Sequence, residues 1–172
     1  MVFTDSQWAE DADRIHKWPL SEELRSRLLS PEQVALALDR GENPISLSIQ
    51  KWEALQSVIE ELGKNVMPHS YYAALQDHIG MDTCALCSTS KNTLIAEKGV
   101  VKAANERCNY CPFSRIDQCT RESSIFAAIE RILLRGSTSI PSPATEKQLQ
   151  SQLEALTEKM IVNLKLVENR FK

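Results

Sequence analysis

From Ala144 to Phe171 the chain runs twenty-eight residues without a glycine or a proline, and this stretch constrains the fold more than any other. Opened by Ser142 as a cap and Pro143 as a first-turn residue, it predicts one uninterrupted helix, because nothing inside it removes a backbone donor or loosens the helical dihedrals. Its apolar residues Leu149, Leu153, Leu156, Met160, Leu164, Val167 and Phe171 are spaced 4, 3, 4, 4, 3 and 4 apart. The mean, about 3.67, is that of an eleven-residue repeat, so any supercoil is nearly straight. At about 1.5 Å of rise per residue the helix spans about 40 Å. A stripe of that length either crosses the whole molecule or meets another chain. Its seven residues are therefore candidates for self-association or for docking to a partner helix.

The sharpest chemical signal lies elsewhere. All five cysteines fall between positions 84 and 119, in a chain that starts without a secretory pattern, so reduced thiols holding a metal are favoured over a disulfide framework. Cys84-Ala85-Leu86-Cys87 and Cys108-Asn109-Tyr110-Cys111 are two CxxC knuckles separated by twenty residues, and Cys119 follows eight positions after the second. Two such turns can aim four thiolates at one point, the closed tetrahedron of a structural zinc site. Short chelate loops favour Cys84, Cys87, Cys108 and Cys111 as ligands. Cys119 is then an alternate ligand, or else a small apolar residue at the start of the next helix. An iron–sulfur cluster is the alternative cofactor, since Pro112 after Cys111 matches the ending of bacterial ferredoxin runs, but the long gap between knuckles fits zinc better. His16, His69 and His78 lie outside the module; only His78, six residues before Cys84, is near enough in sequence to replace a thiolate.

Four thiolates leave no position for water, so catalysis at the metal does not follow. No nucleophile-elbow pattern occurs, and five glycines form no phosphate-cradling loop. A non-enzymatic binding protein is expected.

Around this module the helical period dominates. Trp8, Ile15 and Trp18 begin a pattern closed by Pro19, and Leu20, Leu24 and Leu28 form the next stripe. Ser30, Pro31 and Gln33 predict a capping box and a helix through Asp39, stopped by Gly41. Ile45, Leu47 and Ile49 alternate like a short strand, after which Trp52, Leu55, Ile59 and Leu62 mark a helix ended by Gly63. A short helix from about Pro68 to His78 stops at Gly80. Within residues 81–119, Leu94-Ile95 and Val100-Val101 suggest a hairpin around Lys98-Gly99. From Thr120 to Arg135 the period returns through Ile125, Phe126, Ile129, Ile132 and Leu133, with Gly136 as its end. Residues 137–143 read as a Ser/Pro linker.

Charge names no partner. Twenty Lys and Arg stand against twenty-three Asp and Glu. Residues 1–80 carry a local charge of −6, which opposes phosphate and does not suit a DNA-reading helix-turn-helix. Lys91, Lys98, Lys102, Arg107, Arg115 and Arg121, with Tyr110 and Phe113 among them, make a zinc-containing nucleic-acid-binding regulator, contacting phosphates through the cysteine module, the alternative reading. Nowhere do eighteen apolar residues run together, so no membrane span is expected, and a cytoplasmic protein is.

Gly41-Glu42-Asn43-Pro44-Ile45-Ser46-Leu47-Ser48-Ile49-Gln50-Lys51-Trp52, followed by the CxxC, the CxxCP and the later cysteine, resembles a pattern in small uncharacterised proteins of phage and microbial genomes. The resemblance covers about residues 40–120 and carries no known activity or ligand assignment. It implies that the cysteines act as one metal unit and that the setting is viral, with the host cytoplasm as the compartment. The expected chain is mainly α: an acidic helical region over 1–80, a zinc-stapled loop and hairpin module over 81–119, a helix over 120–136, a linker over 137–143 and a long amphipathic helix over 144–172.

Overall fold

The computed structural model describes residues 20–64, 69–138 and 143–171. These are mainly helical, and no strand occurs among them. The expected pattern through Trp8, Ile15, Trp18 and Pro19, the start at Pro68 and the Ser142 cap lie outside the described residues.

Ser21 opens α1 (Glu22–Arg27), its Oγ accepting from the Leu24 amide at 3.2 Å. At the head of α2 (Pro31–Asp39) the capping box forms as read from sequence: Ser30 Oγ accepts from Gln33 N at 3.2 Å, and Gln33 Oε1 accepts from Ser30 N at 2.9 Å. Gly41 follows at φ 80°, a left-handed position that favours glycine.

The strand expected at 45–49 is instead the beginning of α3 (Pro44–Leu62). Asn43 Oδ1 accepts from Ile45 N and Ser46 N at 2.9 and 3.2 Å, and Pro44 supplies the first turn. The alternation has a packing origin. Ile45 and Ile49, one turn apart, enter the main core, whereas Leu47 enters a second cluster with Val34, Ala37 and Ala85. A helix covered on two sides reads like a strand. Gly63 ends α3 as expected, and α4 spans His69–Gln76.

The hairpin around Lys98-Gly99 is likewise corrected. Residues Ala85–Lys98 form a helix, α5, with Gly99 at φ 75° and its amide donating to Ile95 O at 2.8 Å. Gly99 is a helix C-terminal glycine, not a hairpin turn. Leu94, completely buried, lies on the inner face of α5. Short 3-10 turns at Met81–Thr83, Ala104–Tyr110 and Pro112–Arg115 carry the rest of the module.

Gly136, expected to end the next helix, lies inside α6 (Ile125–Thr138). The Tyr72 ring of α4 rests on it so closely that a Cβ there would stand 2.4 Å from ring atoms. Glycine is needed for this approach, not for a stop. Ser137 and Thr138 thus belong to α6 and not to a linker, their hydroxyls donating to Leu134 O at 2.9 and 2.8 Å.

The final helix, α7 (Pro143–Arg170), is unbroken as expected. It packs chiefly along α3 and α6, while α4 packs on α6 and α5 bridges α2 and α3. Leu149, Leu153, Met160, Leu164 and Val167 are buried in this shared core, Leu156 lies at its margin, and Phe171 is exposed. The stripe therefore crosses its own molecule. Offered from sequence as an interface, it is mostly covered by the protein's own helices. Lys165 pairs with Glu53 at 2.7 Å across the same α3–α7 seam.

Leu153→Ala is expected to cost about 2–5 kcal/mol, as a buried leucine does, whereas Leu166→Ala on the outer face should change stability by no more than about 0.5 kcal/mol. Urea unfolding of the two variants measures this. Equal small effects would mean that the stripe is not packed inside.

Candidate metal centre

The first knuckle is built by the head of α5. Cys84 is the N-cap residue, in extended backbone conformation, and its Sγ accepts from the Cys87 amide at 3.4 Å. A thiolate in this place meets amides and the positive end of the helix dipole. The Cys87 thiol and the amides of Cys87 and Leu86 donate to Cys84, and the Lys51 ammonium lies near; against the opposing effect of burial they hold its pKa down at about 6. Cys87 moves the opposite way, chiefly because its proton is the one given to Cys84.

The second knuckle is built differently. Cys108 lies in the 3-10 turn Ala104–Tyr110, and the Cys111 amide donates to Cys108 O at 3.2 Å. Ser114 Oγ donates to both Cys108 O and Cys111 O, tying the two together. Burial raises the Cys111 pKa, opposed by the nearby backbone amides of Phe113 and Ser114, the second of which donates to Cys111 O at 3.1 Å. Cys119 is pushed up to about 12, first by burial and then by the neighbouring thiolates, led by Cys84. Its segment is anchored to α6: Ser124 Oγ donates to Cys119 O at 3.0 Å and accepts from Ala127 N at 3.0 Å, while Asp117 Oδ2 accepts from Ile125 N at 2.8 Å.

All five cysteines line one cavity of about 850 Å³, whose wall includes Lys51 and Trp52 of α3, Phe113, and Met160 and Leu164 of α7. All five thiols are free of disulfides. As their side chains stand, no three His, Cys, Asp or Glu among the described residues form a group ready to hold an ion. The tertiary fold thus gathers the thiols around one space without closing them on a point.

Lys51, 4% exposed, is the site residue that the sequence reading missed. Its Nζ donates to Ile79 O at 3.2 Å and Gly80 O at 3.3 Å, clamping α3 to the turn that delivers Cys84. Burial lowers its pKa, and the negative charge that Cys84, Cys87 and Cys119 can carry opposes that effect. A buried ammonium needs carbonyls and anions around it, and both are here. The signal was available in the helical period: once 44–62 is one helix, Lys51 shares a face with Leu55, Val58 and Ile59.

His78, its pKa lowered by burial, is not among the cavity-lining residues. Phe113 is buried in the core, and Tyr110 donates its hydroxyl to Glu97 at 2.7 Å. No described helix is long and apolar enough to cross a membrane. No protein family, curated protein or solved structure matches the chain.

Removing the ammonium in Lys51→Met should raise the Cys84 pKa above about 6 in the metal-free protein, because the lost positive charge favours the thiolate. The pH dependence of the Cys84 Cβ chemical shift measures it. An unmoved titration would place Lys51 outside the electrostatics of the knuckle.

Proposed function

We propose that this chain is a non-enzymatic, zinc-stabilised interaction protein whose thiolate centre fastens the segments around 84–119 to the helical core. The observation that carries this reading is the gathering of five cysteines, from separate turns, around a single cavity. Zinc(II) takes four thiolates in a closed tetrahedron, so its role here is to hold structure. Cys84, already poised as a thiolate, is where metal entry begins. The resulting zinc tetrathiolate carries two negative charges, and Lys51 is the buried cation that offsets part of them.

The interaction role of the C-terminal helix moves to its outer face. Val162 and Leu166, one turn apart and about half exposed, together with Phe171, are the apolar surface that α7 presents to a partner helix. The phage setting implied by sequence resemblance belongs to the same proposal.

A second reading is favoured by one observation, the size of the cavity. About 850 Å³ is ample for an iron–sulfur cluster, which uses the same thiolate ligands. Colour and metal content of anaerobically purified protein distinguish the two.

The expected result is about one zinc per chain, by the closed four-thiolate stoichiometry. Chelation should increase hydrogen exchange at Cys87, Cys111 and Ser114 while α7 amides from Leu153 to Leu164 stay protected, because a core of this size does not depend on the ion. Acidification should also release zinc, since ligands bind deprotonated and protons compete for them. A chain folded with no bound metal at neutral pH, and indifferent to chelator, would end the proposal.

A further inference from the structure

The first knuckle repeats, in sulfur, a device that the chain uses at another helix. At the head of α2 the N-cap residue Ser30 and the third helical residue Gln33 turn their side chains toward each other in a capping box. At the head of α5 the same two places are taken by Cys84 and Cys87. Cys84 Sγ accepts from the Cys87 amide at 3.4 Å, just as Ser30 Oγ accepts from Gln33 N, and the Cys87 thiol donates to the same sulfur.

Two sulfurs so placed are close to the geometry of a disulfide. Residues three apart on a helix carry their Cβ atoms about 5–6 Å apart, and a disulfide brings them to about 4 Å, so closure asks for a shift of about 1–2 Å. The second knuckle has the same spacing without the same head. Its Cys111 amide donates to Cys108 O and not to the sulfur, while Cys108 Sγ is set 3.8 Å from the Thr120 hydroxyl. Ser114 Oγ, donating to both carbonyls, fixes that arrangement. Cys119 has no other cysteine within a helical turn of it in sequence. Access does not choose among the five. All are free and partly buried, and all line one cavity of about 850 Å³, large beside the roughly 30 Å³ that a water occupies in the liquid. Only side-chain placement sets one pair apart.

We infer that Cys84 and Cys87 form a reversible dithiol–disulfide couple, the site at which this chain is oxidised by a small hydroperoxide. With hydrogen peroxide, one sulfur attacks a peroxide oxygen, the O–O bond breaks, water leaves and a sulfenic acid remains; the other sulfur displaces its oxygen as a second water, and the S–S bond forms. Sulfur is oxidised, peroxide is reduced, and both thiol protons end in water. The step needs no ion and goes beyond the metal-centre reading. Closure leaves three of the five thiols, one short of the four that a closed zinc site takes, so oxidation and zinc compete for the same sulfurs.

The test exposes the full chain, stripped with chelator, to hydrogen peroxide, then alkylates with iodoacetamide and digests with trypsin. The first knuckle falls in peptide 65–91, the second in 108–115 and Cys119 in 116–121. Peptide 65–91 should appear without alkyl groups and two hydrogens lighter than its dithiol form, while the other two remain alkylated; dithiothreitol before alkylation should return it to the doubly alkylated form. In the folded chain the first knuckle should close at least about tenfold faster than the second, because positioned groups react without a search. In concentrated urea, where only their common spacing is left, the two should close at similar rates. Faster closure of 108–115, a disulfide joining different peptides, a ratio in the folded chain no larger than in urea, or full alkylation of the folded chain under conditions that oxidise the unfolded one overturns the inference. Zinc content of the untreated preparation decides the metal-centre reading separately.

Discussion

The contact of α7 with α3 supports everything else in this protein. Leu149, Leu153, Met160, Leu164 and Val167 meet Ile49, Trp52, Leu55, Val58 and Ile59 in one continuous apolar cluster, and α6 closes it with Ile129 and Leu133. Burying that many large side chains is the dominant favourable term in folding. It also makes a wall: Trp52 from α3 and Met160 and Leu164 from α7 line the space around which the cysteines collect. The thiols are not a substitute for a core; they are arranged upon one.

Lys51 is the link between that core and the chemistry. An ammonium buried to 4% exposure would be costly without partners, and it is tolerated because Ile79 O, Gly80 O and nearby sulfur answer it. The same hydrogen bonds hold the turn before Cys84, where Thr83 adds its own hydroxyl bonds to His78 O at 2.9 Å and Gly80 O at 3.1 Å. The first knuckle is thereby fixed from both sides, by α3 behind it and by the head of α5 in front. The hydrogen bond from the Cys87 thiol, together with the Lys51 charge and the helix-end amides, acts on one sulfur and shifts Cys84 downward against the effect of burial.

The expectations that failed share a cause. Ile45, Leu47 and Ile49 looked like a strand because alternation normally means one covered face, yet here α3 is covered on two. Gly99 looked like a hairpin turn and Gly136 like a helix end, since glycine punctuates both; the first terminates a helix, and the second lets Tyr72 approach. In each case local pattern was sound, but it could not say what lay across from it. The C-terminal stripe is the same lesson in reverse. Its period was legible, and the surface that covers it proved to be the chain itself.

The sequence alone determined the helix starts and stops that rest on short-range bonding: the Ser30–Gln33 box, the Gly41 and Gly63 endings, and the unbroken run to Arg170. Such features need only residues within a turn or two of each other. It also determined that all five cysteines are confined to one region. Only the tertiary structure decided which sulfurs share a wall, which cation stands beside them, and which apolar faces are spent inside. Those depend on the meeting of residues distant in sequence, as Lys51 meets Gly80 and as α3 meets α7, and spacing along the chain carries no measure of that distance.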